Sequence, residues 1–454
     1  MNTTMMAKCA KTSRFLAATV AAVVTSTTLA YETVTTNGVT WKYVTNADGV
    51  NTVTLGPGGG SGNEATDDQR AIPKATSVSA SLIPWVFEND GETYTVTKVN
   101  ARAFHNCTGL TGTLTIPDTV KEVGDYAFEY VGGSVTRVAS LGGITKVGTH
   151  AFDSITPLGD FPDIYNIASF GSGATAIFKN WTKITGNADV VLNPALKTIP
   201  SYMFQNTKIT SVKIPRSVTK VEWGAFTLTA LPGLLIPGPL SAASSSEYTD
   251  ICPSGLLKDA VTAKVFFAGP NTKANSTITN PMFGGTTDLK AFVPANGLWD
   301  GELNAGGTRT EIIKYGPGEE IDFALDTEEK VITAMPTTEA AFTNVLNWAT
   351  LFKDKLGYDT RVSVTNSIEV SADAVTPEML ANVQLNSTLM MFAVKTQAQL
   401  DSVLAAVPQT TMLAIDPTGA REELTMPQDR ALWVWLSGTG KYTPYFSGFR
   451  IIYR

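Results

Sequence analysis

The side chains able to do chemistry are few. Only two histidines, His105 and His150, occur among 454 residues, so imidazole acid–base or metal chemistry has little to work with. A zinc site needs three or four converging ligands. His105 directly follows Phe104, and the residues directly after five later phenylalanines are Glu129, Asp153, Lys179, Gln205 and Thr227. That mixture reads as an exposed position. His150 shares an equivalent place with Arg102, Tyr126 and Tyr202, which reads as packing at an edge. The acidic run Glu319, Glu320, Asp322, Asp326, Glu328 and Glu329 could supply paired carboxylates for glycoside hydrolysis, but nothing around it would desolvate them. Asp48-Gly49 is followed by no carboxylates at calcium-ligand spacing and reads as a turn. Gly438-Thr439-Gly440-Lys441 has Trp435 and Tyr442 where a phosphate loop needs Gly and Ser/Thr, so it too reads as a turn. Trp181, Trp223, Trp299, Trp348, Trp433 and Trp435 could line a sugar site, but core packing is their default role. No catalytic residue, metal ligand or cofactor is assigned.

The elements that would position any site come from a repeat. Phe104, Phe128, Phe152, Phe178, Phe204 and Phe226 recur with gaps of 24, 24, 26, 26 and 22 residues. Five of the six sit in near-identical words, four of them Ala-Phe and one Met203-Phe204. Val99, Val123, Val147, Ile199 and Val221 stand five residues earlier, and Val96, Val120, Ile144, Phe170, Leu196 and Val218 eight residues earlier. Strand endings of the form aliphatic-x-aliphatic-Pro close several turns, at Pro117, Pro215 and Pro237. A unit of about 20–29 residues cannot bury its apolar face alone, so such units stack into a solenoid. Stacking puts like over like at the strand spacing of about 4.8 Å. The Phe column then becomes an internal ladder, with each buried ring worth about 1.5–3 kcal/mol. Proline ends each strand because it donates no hydrogen bond and has a set φ.

These words resemble the BspA-like leucine-rich repeat family. The best matches are Ile116-Pro117-Asp118-Thr119-Val120-Lys121-Glu122-Val123-Gly124-Asp125-Tyr126-Ala127-Phe128, Ala103-Phe104-His105-Asn106-Cys107-Thr108-Gly109-Leu110, and Ile214 through Phe226. The pattern loosens at 155–193 and after Pro237, where Phe266-Phe267-Ala268-Gly269-Pro270 and Leu289 to Pro294 are degenerate turns. The resemblance implies a secreted or surface-exposed protein with a role in adhesion.

The rest of the chain supports export. Lys8, Lys11 and Arg14 precede an apolar run from Phe15 to Val24, and Thr28-Leu29-Ala30 offers small residues for cleavage after Ala30. Residues 1–30 are therefore expected to be a signal peptide, and their loss would shift the net charge from −7 to −10. An acidic chain lacks the basic face that duplex nucleic acid or an anionic membrane would need. Cys107 and Cys252 would remain, about six turns or roughly 30 Å apart, too far for a disulfide. Cys107 reads as a buried thiol. Asn106, Asn180 and Asn275 begin Asn-x-Thr words, which matter only in a eukaryotic host.

Residues 31–77 are expected to form an N-terminal β-hairpin cap, around a turn at 46–49, followed by the flexible Gly56–Gly62 linker. Residues 78–300 are the solenoid, degenerate after 240, and 301–317 a Gly-rich linker. Residues 318–454 change to a small α/β or α+β domain. It is predicted to hold a helix over 338–356 capped by Thr337, helices starting at Thr376 and Thr396, and strands at 362–370, 389–394, 412–415, 431–436 and 449–453. The leading reading is an exported, non-enzymatic protein that meets an extracellular protein or glycan through exposed strand positions Thr113, Thr115, Ser211 and Lys213. Two rivals stand beside it: a self-assembling structural spacer of the envelope, and an enzyme whose activity lies in residues 318–454.

Overall fold

The computed structural model describes residues 31–47, 50–59, 64–132, 135–222, 224–229, 231–237, 264–268, 290–294, 311–316, 321–364, 369–371, 375–385, 389–407, 412–417, 420, 423–427, 432–436 and 441–445. The expected signal peptide, the tip of the first hairpin, the Gly438–Gly440 loop and the expected strand at 449–453 lie outside them.

The N-terminal cap is a meander. Strand Val39–Thr45 pairs antiparallel with Thr52–Leu55 as expected, and an additional strand, Glu32–Thr36, pairs on its other side. Trp41 and Tyr43, two apart on one strand, share a face and are fully buried. Trp41 meets the edge of Phe104 with ring centroids 6.5 Å apart. Thr52–Leu55 then runs parallel to Glu92–Val99, so the cap is hydrogen-bonded into the solenoid it closes.

From there the turns stack. Glu92–Val99, Glu122–Val123, Lys146–Val147 and Ser169–Phe170 form one parallel ladder. A second column contains Val78–Ser79, Leu110–Thr115 and Val135–Ser140. All six phenylalanines are fully buried. Successive rings lie 4.9, 5.5, 5.7, 6.1 and 5.6 Å apart, with planes within 15° of parallel. Each Phe sits in a tight bend bracketed by two left-handed residues, such as Arg102 (φ 61°) and Asn106 (φ 58°), or His150 (φ 51°) and Ser154 (φ 59°). That conformation is costly for any residue with a Cβ. It persists because the bend points its N–H groups at the next turn: Arg102 donates to the Asp125 carbonyl at 2.8 Å, Phe104 to Ala127 at 2.7 Å and Asn106 to Glu129 at 2.7 Å.

The first of these ladders breaks after Ser169–Phe170. The residue after each strand normally donates to the turn before: Gly124 to Val99 O at 2.9 Å, Gly148 to Val123 O at 2.8 Å, and Gly171 to Val147 O at 2.9 Å. The next residue in this series is Pro200, which has no N–H. Strand Thr198–Ile199 pairs with Lys220–Val221 and not with Ser169–Phe170, where the sheet ends. A cleft of about 310 Å³, lined by Phe170, Gly171, Leu196, Thr198 and Pro200 among others, opens where the missing bonds would be. The Phe column runs past it unbroken. Phe161 and Trp181 fill the longer turns there, Phe161 lying 5.5 Å from Phe178 and 5.1 Å from Trp181.

From Gly233 onward the stacking continues as a four-stranded parallel sheet of Gly233–Ile236, Lys264–Phe267, Lys290–Pro294 and Glu311–Tyr315. The last of these falls inside 301–317, expected to be a linker. The Gly- and Thr-rich residues around it conceal a rung in which Ile313 and Tyr315 alternate into the core, Tyr315 stacking on Phe266 at 5.2 Å. Strand Gly233–Ile236 is a wall shared by two cores: Leu234 and Ile236 belong to the solenoid core, Leu235 to the C-terminal one.

The C-terminal part is α/β. An antiparallel hairpin, Ile321–Asp326 with Val331–Pro336, leads into helix α1 (Glu339–Leu356), and Asp359–Val362 returns parallel to Val331–Pro336. This hairpin occupies the acidic run that the sequence places on a solvated face. Apolar Ile321 and Phe323 alternate inward between exposed acids. Thr338, one residue later than expected, caps α1, and Gly357 closes it at φ 70°. Thr376 caps α2 (Pro377–Ala381), and Thr396 with Gln399 forms a capping box on α3 (Gln397–Ala406). A second sheet joins Glu369–Ser371, Leu389–Ala393, Met412–Asp416 and Leu432–Leu436 in parallel, with Lys441–Tyr445 antiparallel at its edge. The expected strand 362–370 is therefore two pieces in two sheets. Among the described residues no helix is long and apolar enough to cross a membrane.

Candidate functional site

The surface positions expected from the sequence lie on strands. On Leu110–Thr115, Leu110 and Leu114 face the core, Thr115 is exposed and Thr113 half-buried. On Ser211–Lys213, Lys213 is exposed and Ser211 half-buried, its hydroxyl bonded to Asp189. The two strands belong to separate sheets, because the turn between Val135–Ser140 and Asp189–Val191 forms no strand in this column. Thr113 stands beside Arg137, Ser211 beside Asp189, and Lys213 beside Val191. Arg137, Asp189 and Val191 are themselves exposed, so the face mixes charge, hydroxyl and aliphatic groups.

A second constellation lies where the sequence places exposed side chains. His105 is only 2% exposed, Glu129 5% and Asp153 1%. Strand logic, alternately in and out, does not hold in a bend bracketed by two left-handed residues, and this bend turns the residue after Phe inward. Stacking then brings His105, Glu129 and Asp153 over one another on successive turns. His105 Nε2 contacts Glu129 Oε2 at 3.0 Å. His150 Nδ1 lies 2.9 Å from Asp153 Oδ2 and 3.3 Å from Glu129 Oε1. Asp153 Oδ1 accepts from Ser154 Oγ at 2.8 Å and from Asn180 Nδ2 at 3.2 Å. The edge role expected for His150 is a ring stack on Tyr126, centroids 5.2 Å apart, with Arg102 over the other side of Tyr126 at 4.7 Å.

Charge holds the cluster together. Desolvation works against His150, but its hydrogen bonds to Asp153 and Glu129 and their charges outweigh this and push its pKa up to about 9. Desolvation raises Glu129, yet the bonds from His105 and His150 bring it below the usual carboxylate range. Glu129, His150 and Asp153 bring three ligand atoms within 4.8 Å of one another. The signal for this was in the sequence: one His and two acids in the same place on consecutive turns.

Cys107 is fully buried and unpaired, and Cys252 lies outside the described residues. Burial pushes the Cys107 thiol up to about 12, which suits a packing role and not a nucleophile.

A family model described as BspA type leucine rich repeat region matches residues 92–191 and 175–252, in six copies. Among solved structures, the chain is similar to a leucine rich cell surface protein from Faecalibacterium prausnitzii A2-165, at 17% identity over 83% of this chain and 98% of that one, with a TM-score of 0.32. It is also similar to a leucine-rich repeat protein from Bacteroides ovatus ATCC 8483, at 13% identity over 82% of this chain and 97% of that one, with a TM-score of 0.28. No curated protein matches.

Proposed function

Taking as premise that residues 92–252 are BspA-type leucine-rich repeats, we propose that the protein is exported and recognises an extracellular protein or glycan through its stacked strands. One observation carries this reading. Pairing with their neighbours fixes the strands Leu110–Thr115, Val135–Ser140, Asp189–Val191 and Ser211–Lys213 so that Thr115, Thr136, Arg137, Asp189, Val191 and Lys213 stand in solvent at set spacings. A backbone ordered by stacking presents those groups with little entropy left to lose on binding. The mixture of Thr115, Thr136, Arg137, Asp189, Val191 and Lys213 suits a polar partner with some apolar contact, and the net acidic chain does not suit nucleic acid. Cleavage after Ala30 would deliver the protein outside the cell.

The test is a glycan and extracellular-protein array probed with residues 31–454. A partner bound by the parent chain should lose at least tenfold in affinity with the combined variant Thr113→Glu, Thr115→Glu, Ser211→Glu, Lys213→Glu, while Tm stays within a few degrees. Retained affinity would move recognition to another face.

A further inference from the structure

The buried cluster on the second and third phenylalanine turns brings three potential metal-ligand atoms, from Glu129, His150 and Asp153, within 4.8 Å of one another. His150 Nδ1 faces two carboxylate oxygens, Asp153 Oδ2 at 2.9 Å and Glu129 Oε1 at 3.3 Å. One nitrogen carries at most one N–H, and a single N–H aligns well with only one acceptor. The other carboxylate oxygens are already engaged. Glu129 Oε2 meets His105 Nε2 at 3.0 Å, and Asp153 Oδ1 accepts from Ser154 and Asn180. One oxygen from each carboxylate and one imidazole nitrogen are thus left converging on a common point.

We infer that Glu129, His150 and Asp153 form a three-ligand site for a divalent transition-metal ion of zinc's size and ligand preference. Zinc bonds of about 2.0–2.2 Å in tetrahedral array place neighbouring ligand atoms roughly 3.3 Å apart, against 2.9 and 3.3 Å from His150 Nδ1 to the two carboxylate oxygens. An imidazole with two carboxylate oxygens suits zinc, whereas calcium takes six to eight oxygen ligands. The surroundings match those of metal ligands. Each carboxylate is oriented by hydrogen bonds, and His105 supports Glu129 as a buried partner behind a ligand. A bound ion would displace the proton that Asp153 and Glu129 favour on His150, after which two carboxylates and a neutral imidazole balance a dication. His150, 25% exposed at its side chain, leaves a way in from solvent, and Arg102 is held away beyond Tyr126. An ion here would tie the turns of Phe128 and Phe152 together from inside.

The experiment uses the full chain without a histidine tag, first stripped with chelator and dialysed against Zn²⁺. One equivalent is expected to be retained, and Tm should rise. Asp153→Asn should lower affinity more than 100-fold, and His105→Gln 10–100-fold as an outer partner. Because those variants could disturb folding, diethyl pyrocarbonate modification of the parent chain supplies an independent readout. There are only two histidines and His105 is buried, so the reagent, used near pH 9 where the imidazole of His150 loses its proton, reports His150. Zn²⁺ should suppress its modification at least tenfold, and Co²⁺ in its place should give the visible bands of a tetrahedral site. Retention well below one equivalent, or unaltered His150 modification with Zn²⁺ present, would overturn the inference and leave an internal ion pair.

Discussion

The turns carrying Phe104, Phe128 and Phe152 and those carrying Phe178 and Phe204 share one aromatic column but differ in their backbones. The first group keeps a 24-residue period and a continuous strand ladder. The second lengthens to 26 and loses the ladder at Pro200. Ring stacking barely registers the change, since the separations are 5.5 Å at Phe128–Phe152 and 6.1 Å at Phe178–Phe204. The apolar stack and the hydrogen-bonded ladder are therefore separable. Burial is non-directional and accepts two extra residues, with Phe161 and Trp181 filling the added space. A ladder bond requires a donor at one position, and a proline there removes it.

The largest expected effect tests the shared column. Phe152→Ala should cost about 3–5 kcal/mol in denaturant unfolding, because its neighbours are stacked rings that cannot move in. Phe178→Ala should cost less, as Phe161 and Trp181, each 5.5 Å away, still line the space it leaves. Equal losses would show that the irregular turns are as tightly packed as the regular ones.

Next come two glycines in equivalent places. A Cβ on Gly148 would lie 2.5 Å from the Asp125 backbone nitrogen, while one on Gly171 meets nothing closer than 3.6 Å. Gly148→Ala should therefore lose about 1–3 kcal/mol, and Gly171→Ala should stay within about 0.5 kcal/mol of the parent. Comparable thermal shifts in both would mean that the turns of Phe152 and Phe178 approach the turn before them equally closely.

Of similar size is the tie between the two regions. Trp181 Nε1 donates to the Phe152 carbonyl at 2.7 Å. Trp181→Phe, which keeps most of the bulk but leaves that carbonyl unpaired, should cost about 1–3 kcal/mol. The smallest effect belongs to Cys107 in the regular part. With its thiol pushed up to about 12, labelling by an aromatic disulfide in a Cys9→Ser, Cys252→Ser variant should follow global unfolding at any pH from 7 to 9. A rate rising tenfold per pH unit in the folded protein would show an accessible thiolate instead.

Much of this fold was legible because it is periodic. The rungs, the inward Phe column, the buried Cys107 and the caps at Thr376 and Thr396 each follow from a local rule applied to a few adjacent residues. The rung Glu311–Tyr315 was missed because its apolar residues sit in a Gly- and Thr-rich stretch that reads as linker. Thr113, Thr115, Ser211 and Lys213 were placed on strands correctly, but their division between two sheets was not visible, because it depends on the turn between them forming no strand.

By itself the sequence determined which residues repeat and at what spacing, and so which rings would lie above one another, since stacking like on like is enforced by the apolar surface each turn must hide. Only the tertiary structure decided which way the residue after each Phe would face. That direction is set by the left-handed bend around it and by the turn above, neither of which alternation can read. Hence His105, Glu129 and Asp153, spread over 49 positions of chain and polar enough to pass for surface, meet in the interior beside His150.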